Sequence, residues 1–138
     1  MALTINRTLR DDNSRATFEI VSDGGAESAT IVDTSTLVGS SGDGVDMVKV
    51  IGFTCLVCDD DGSGGSVTLS WTDGSTTTDF LNIPVGITNL NMGFSPPTDT
   101  YSTADIALTS SGANISFTLR LVVEKVRGFD LSTANRLI

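Results

Sequence analysis

Histidine is absent from this sequence of 138 residues, and basic residues, aromatic residues and cysteines are scarce. Without histidine, the chain lacks the commonest general base and the commonest metal ligand. Eight basic residues stand against seventeen acidic ones, which gives a net charge of −9. A surface that follows nucleic-acid phosphates needs clustered Lys and Arg, so this balance argues against a general nucleic-acid binder.

Long apolar runs are missing as well. Because no stretch of about 18 or more apolar residues occurs, we expect no segment that spans a membrane. The first residues also lack the continuous apolar stretch of a secretory signal. We therefore expect synthesis in a cytoplasm and no export by that route.

The few basic residues lie near the two ends of the chain. Between residues 16 and 119 there is one basic residue, Lys49, against thirteen acidic ones. Residues 1–15 and 120–138 hold the other seven basic residues against four acidic ones. Charge asymmetry of this kind carries information about partners rather than about the fold. It predicts an acidic body with arginine-bearing ends that contact something else.

Thr, Ser, Gly, Val and Ile are plentiful and helix formers are scarce, which favours strands joined by tight turns. Residues 114–124 show the clearest strand pattern, because apolar and polar residues alternate along most of the segment. The apolar set that shares one face is Ile115, Phe117, Leu119, Leu121 and Val123. The polar set on the other face is Ser116, Thr118, Arg120 and Glu124.

Other strand signals recur along the chain. Val67, Leu69 and Trp71 alternate in the same way, and Asp73-Gly74 supplies a turn after them. Residues 48–58 are apolar at both parities, which predicts a central strand covered on both sides. Weaker signals lie at residues 16–22, 28–33, 87–92 and 105–110.

About eight short strands separated by Gly-, Asp- and Ser-rich turns predict an all-β protein with an antiparallel β-sandwich or jelly-roll topology. The strand pattern does not choose between those topologies. We expect an extended N-terminal arm at residues 1–15, a β-sandwich domain at residues 16–127 and a C-terminal tail at residues 128–138. The tail contains four apolar residues that would need a surface to cover: Phe129, Leu131, Leu137 and Ile138.

Cys55 and Cys58 form a C-x-x-C pattern that suggests zinc or redox chemistry. On a strand, however, residues three apart point to opposite faces about 10 Å apart, which is too far for a disulfide. A zinc site would need two more ligands, and the chain has no other cysteine and no histidine. We therefore interpret both cysteines as small core residues of a reduced protein.

The run from Asp59 to Asp61, followed by Gly62, resembles the opening of a calcium loop. An EF-hand would place a bidentate Glu twelve positions along from Asp59, where this chain has Ser70, and no flanking helices are predicted. Runs of Asp and Gly also serve as solvated hairpin loops, which is our interpretation here. A weak calcium site completed by loop carbonyls stays open as the alternative.

Catalysis has little support in the sequence. Ser and Thr have only carboxylates as candidate bases, and the G-x-S-x-G pattern does not occur. Paired carboxylates could hydrolyse glycosides, but the sequence does not show which of them face each other. Trp71 shares its parity with Val67 and Leu69, which predicts a core residue rather than a sugar-stacking surface. We expect no enzyme, no catalytic residue and no cofactor.

The ends of the chain carry the candidate partner-binding residues. Arginines there could form bidentate pairs with carboxylates on another surface, and apolar residues such as Ile5 and Leu9 would be poorly satisfied in a lone monomer. The alternative is an ordinary frayed terminus. The predicted partner-binding residues are Arg7, Leu9, Arg10, Arg15, Arg127, Phe129 and Arg136.

The polar start TINRTLRDDNSRATFEIVSDGG, the Gly- and Thr-rich strands and the closing FTLRLVVEKVRGFD resemble small virion structural proteins of tailed bacteriophages. The pattern is similar above all to the capsid decoration or cement proteins of marine and cyanobacterial phages. The resemblance implies a β-sandwich or jelly roll, often a homotrimer, on the outer face of an icosahedral shell. There it would clamp neighbouring subunits of the major capsid protein, with no contact to nucleic acid or membrane.

Three other functions compete with this one. A tail or fibre module that recognises host glycans would show exposed aromatic residues in a concave patch and a calcium-dependent fold. A minor tail or neck component would differ only in its position in the virion. An enzyme acting on polysaccharides is the last alternative.

Overall fold

The computed structural model describes residues 5–12, 14–24, 27–37, 48–59, 62, 64–91, 93–97, 100–101, 104–111 and 115–125. In these residues the chain forms nine β-strands and one short 3-10 helix, Thr34–Thr36. The strands are β1 (Ile5–Asp11), β2 (Arg15–Ser22), β3 (Ser28–Val32), β4 (Val48–Asp59), β5 (Ser66–Thr72), β6 (Thr77–Pro84), β7 (Gly86–Leu90), β8 (Asp105–Ser111) and β9 (Ile115–Lys125).

The strands form two antiparallel sheets. The five-stranded sheet has the order β1-β2-β9-β4-β7, and the four-stranded sheet has the order β3-β8-β5-β6. Four antiparallel pairs are nested in the sequence: β2 with β9, β3 with β8, β4 with β7, and β5 with β6. The all-β, antiparallel sandwich predicted from the sequence is confirmed.

One core lies between the sheets, and period-2 alternation directs side chains into it. The five apolar residues of β9 that were predicted to share a face are all buried. Trp71 is 1 % exposed and stacks on Phe80 at a ring separation of 4.4 Å, which confirms its core position. Burial of each large apolar side chain contributes about 1.5–3 kcal/mol, so the alternation itself stabilises the two-layer fold.

Strand β4 departs from the prediction that both of its faces are covered. Only one face packs on the core, while Thr54, Leu56 and Cys58 are exposed on the other. The prediction was wrong because the four-stranded sheet can cover only the inner face of the five-stranded sheet. For the same reason only one of the two cysteines, Cys55, is a core residue.

The N-terminal segment differs from the extended arm that the sequence suggested. From Ile5 to Asp11 it is strand β1, which pairs antiparallel with β2 at the edge of the five-stranded sheet. Its alternation is weak because an edge strand covers little of the core and carries mostly polar residues. The predicted C-terminal tail, residues 128–138, lies outside the described residues. Over the described part of the chain, no helix has the length and apolar character needed to cross a bilayer.

Candidate partner-binding face

The basic residues of this protein are sorted by sheet. Every basic residue within the described ranges belongs to the five-stranded sheet: Arg7, Arg10, Arg15, Lys49, Arg120 and Lys125. The four-stranded sheet contains Asp79 and Asp105 and, within its described strands, no basic residue. We call the outer face of the five-stranded sheet the basic face, because all of these basic side chains except the buried Lys125 lie on it or at its edge.

A row of polar side chains crosses the basic face at one register level. The row is formed by Arg7, Glu19, Arg120, Thr54 and Asn89, one from each strand in sheet order. Strands lie about 4.8 Å apart, so the row spans roughly 20 Å. A partner that contacts this row therefore contacts all five strands at once.

Glu19 lies between the two arginines of this row and holds both in place. Its carboxylate accepts hydrogen bonds from Arg7 Nε at 3.0 Å and from Arg120 Nη2 at 3.1 Å. The carboxylate is nearly buried, whereas the two guanidinium side chains are 59 % and 62 % exposed. The hydrogen bonds from Arg7 and then Arg120 hold the pKa of Glu19 below its ordinary value. Both arginines are thus ordered in advance but still present donors to the outside.

Replacing this carboxylate should produce a pH-dependent loss of stability. The pKa of Glu19 is lowered in the folded state from its ordinary value of 4.5. Its ionised carboxylate therefore stabilises the fold at pH values above 4.5, and this stabilisation disappears as the pH falls through the folded-state pKa. The difference in unfolding free energy between wild type and Glu19→Gln should therefore be largest near neutral pH and shrink in acid. Urea unfolding at a series of pH values measures it, and a difference that grows in acid would contradict this assignment.

The same measurement needs a control at another carboxyl group whose pKa is lowered. Backbone N–H groups of Ser14 and Arg15 hold the pKa of Asp12 at about 2. Wild type and Glu19→Gln share this group, so its titration cancels in their difference. Asp12→Asn should show an acid-sensitive difference of its own.

A shallow groove of about 440 Å³ lies beside the polar row on the basic face. Its floor includes Gly52, where a Cβ atom would lie 3.1 Å from Asn91 Oδ1, so a side chain there would displace that amide. The polar side chains that line the groove are Arg15, Thr17, Thr54, Asn89, Asn91 and Arg120. Two guanidinium groups, two amides and two hydroxyls in one groove suit a ligand that carries carboxylates or many hydroxyls.

An apolar row runs parallel to the polar row, two residues along each strand. It consists of Ile5, Val21, Thr118, Leu56 and Ile87, in which Thr118 is the one polar member. Leu56 is 44 % exposed and Ile87 is 78 % exposed, although both are large and apolar. Exposed apolar groups beside ordered charged groups are typical of protein interfaces.

Four of the seven predicted partner-binding residues fall within the described structure. Arg7 lies in the polar row, Arg15 lines the groove, and Arg10 pairs with Asp12 at 2.9 Å at the edge of the same face. Leu9 is 41 % exposed at a bulge in β1. The structure thus brings the three arginines to one sheet. Arg127, Phe129 and Arg136 lie outside the described residues, and their roles stay predictions.

The other candidate sites are the cysteine pair and the aspartate loop that begins at Asp59. Cys55 is buried, which raises the pKa of its thiol to about 12, while Cys58 lies exposed on the opposite face. Asp59 accepts hydrogen bonds from the backbone N–H groups of Gly62 at 3.1 Å and Gly64 at 2.6 Å, as a loop carboxylate does. Asp60 and Asp61 lie outside the described residues. Over the part of the chain that the structure describes, no three Cys, Asp or Glu residues are grouped so as to hold a metal ion.

Sequence reasoning missed most of the site. Glu19, Thr54, Asn89 and Asn91 were not singled out, and Arg120 was placed only on the polar face of its strand. The signal for Arg120 was its position opposite the buried residues of β9, but its partner Glu19 is 101 residues away. Comparison with protein-family models and with curated proteins finds no match for this chain.

Proposed function

We propose that this protein is a structural virion protein that binds the outer surface of a phage capsid and stabilises the lattice, as a decoration or cement protein. The observation that carries the proposal is the basic face. It presents ordered guanidinium groups, a groove and an exposed apolar row on a rigid sheet, whereas the four-stranded sheet is acidic.

The chemistry of this face defines the partner surface that it fits. Arg7, Arg15 and Arg120 offer planar donors that pair with carboxylates, and Leu56 and Ile87 offer apolar area beside them. An acidic strip next to a small apolar patch on the major capsid protein would complement both rows. A capsid repeats such a strip over its whole lattice, so an oligomer of this protein would contact several strips at once, and modest single contacts would add up to firm attachment.

We also propose that the sandwich is a jelly roll, and the strand order supports this topology. A strip of four nested antiparallel pairs wraps so that successive pairs lie in opposite sheets, and a jelly roll arises in this way. In this topology β1 is an extra strand that widens one sheet. The extra strand brings Arg7 and Arg10 onto the basic face.

The test is binding of the purified protein to empty shells assembled from the major capsid protein of the same virus. Arg15→Glu reverses an exposed charge at the groove, and we expect the half-saturating concentration to rise by about tenfold or more. Cryo-electron microscopy of saturated shells should place the 14.4 kDa density on the outer face with the basic face against the shell.

A matched control changes the charge by the same amount on the other sheet. Thr77→Asp with Thr109→Asp adds two negative charges at exposed positions of β6 and β8, and this variant should bind shells like wild type. Equal loss in both variants would point to net charge, and unimpaired binding of Arg15→Glu would contradict the proposal. Point variants are preferable to deletion of residues 1–15, because the deletion would remove strand β1 and uncover β2.

A glycan-binding module at a tail or fibre is the second candidate, and the groove favours it. Its amide and hydroxyl side chains suit sugar hydroxyls. Against it, Trp71 and Tyr101 are buried, so neither offers a face on which a sugar could stack. Glycan-array binding that is lost in Asn89→Ala, together with absent shell binding, would favour this candidate over the first.

A further inference from the structure

The four edge strands of the sandwich differ in how they are protected against pairing with another chain. An exposed edge presents unpaired backbone N–H and C=O groups, and proteins commonly block it with bulges, charges or proline. Strand β1 has a register shift between Thr8 and Arg10 and carries Arg7 at the same edge. It is therefore protected twice.

The two edges of the four-stranded sheet are protected in the same ways. Strand β3 has a register shift between Thr30 and Val32. Strand β6 has a register shift opposite Leu69 and Ser70, carries the exposed Asp79 and ends at Pro84. Both edges are thus poor templates for another strand.

Strand β7 has none of these devices. Its five residues pair with β4 in unbroken register from Gly86 to Leu90, and none of the five is charged or proline. Among the described residues, no other strand pairs with its free side. In the part of the chain that the structure describes, the most exposed large apolar side chain is Ile87, which lies on this strand. Val85, the residue just before the strand begins, is 47 % exposed.

We propose that β7 pairs with β7 of a second copy of this chain, so that two five-stranded sheets become one continuous ten-stranded sheet. The charge pattern favours a second copy as the occupant. A two-fold axis places each residue of one edge near the same set on the other copy, so a charged edge would repel itself. The edge β7 is neutral although the whole chain has a net charge of −9, so two copies can approach there without like charges meeting.

This pairing has a consequence for the shape of the assembly. The two-fold axis of antiparallel edge strands is perpendicular to the sheet, so the basic faces of both copies point to the same side. In the register that places Ile87 opposite Ile87 of the second copy, Leu56 and Ile87 of each copy lie near the centre of the joined sheet, and the apolar row becomes continuous across the axis. A dimer of this form would contact a repeating partner with two equivalent sites.

Sedimentation velocity over a wide concentration range tests the proposal with the full chain. We expect a dimer that persists at about 1 M NaCl, where charge interactions beyond about 3 Å are screened. Ile87→Lys places two like charges at the axis and removes exposed apolar area, so its dissociation constant should rise by at least about tenfold. Circular dichroism should show an unchanged fold, because Ile87 is an exposed side chain.

Leu9→Lys is the matched control, since it makes the same kind of change at the protected edge β1, and it should leave the dimer intact. Backbone hydrogen exchange at Gly86–Leu90 gives a second readout, with slower exchange in wild type than in Ile87→Lys at the same concentration. A monomer at all concentrations overturns the proposal. Association that disappears in high salt also overturns it, because such an interface would join the basic face to the acidic sheet instead. Association that Ile87→Lys leaves unchanged overturns it as well, because the interface would then lie away from β7.

Discussion

Replacing Lys125 with Met should lower the free energy of unfolding by about 3 kcal/mol, because it breaks a buried ion pair from one side. The Lys125 side chain is fully buried, and its Nζ donates hydrogen bonds to Asp11 Oδ1 and to the backbone carbonyl of Asp12. Removal of the cation takes this counter-charge away from the partly buried carboxylate of Asp11, whose side chain is 18 % exposed. Urea unfolding of Lys125→Met against wild type measures the loss.

Lys49→Met is the control for this variant, because Lys49 is a half-buried cation on the basic face rather than in the interior. A cation that is partly open to solvent contributes little through charge interactions, so we expect a change within about 1 kcal/mol. The double variant Asp11→Asn with Lys125→Met should recover part of the loss, since no uncompensated charge then remains. A loss below about 1 kcal/mol in Lys125→Met would show that the pair does not anchor β1 to β9.

Gly65→Ala should cost about 3 kcal/mol, because the new methyl group has no room. A Cβ atom at this position would lie 2.3 Å from the Ser111 carbonyl oxygen and 2.6 Å from Ile115 Cγ1. The backbone also has a φ of +155° at Gly65, which residues with a side chain rarely adopt. Relief of the contact would separate β5 from β8 at the end of the pair, where Ser66 lies opposite Ser111, so faster hydrogen exchange at Ser66 and Val67 should accompany the loss.

Gly64→Ala provides the comparison within the same loop. Gly64 has a φ of +89°, but a Cβ atom there would meet no atom within 4 Å. Only the conformational strain remains, which costs about 1 kcal/mol. If both variants lost the same stability, the close approach of Ser111 and Ile115 would not be the cause of the effect at Gly65.

The strands themselves could be predicted because alternation is a local property. In β9 the side chains that alternate in polarity also alternate in burial, since a strand has only two faces and one of them meets the core. In β5 the same holds except at Ser70, which is polar and buried. The edge strand β1 escaped this reasoning. Its residues from Asn6 to Arg10 are exposed on both faces, so no apolar period marks them.

Strand β4 shows a different limit. Its apolar residues occur at both parities. This pattern fits a strand that lies between two layers of the same protein, and it fits equally well a strand whose outer face forms an interface. In the structure of one chain Leu56 is exposed, so the described residues of its own sandwich do not cover this part of the outer face of β4.

Alternation of polar and apolar residues, the turn residues and the charge balance determined, without any structure, that the chain is an acidic all-β sandwich with Trp71 in its core. Only the tertiary structure decided that Arg7, Glu19 and Arg120 meet in one row, that β1 belongs to the sheet, and that β7 is the unprotected edge. The physical reason is that local patterns depend on neighbouring residues, whereas strand order and register depend on how distant segments share one core. The basic face is a product of that register and therefore could not be predicted from the order of the residues.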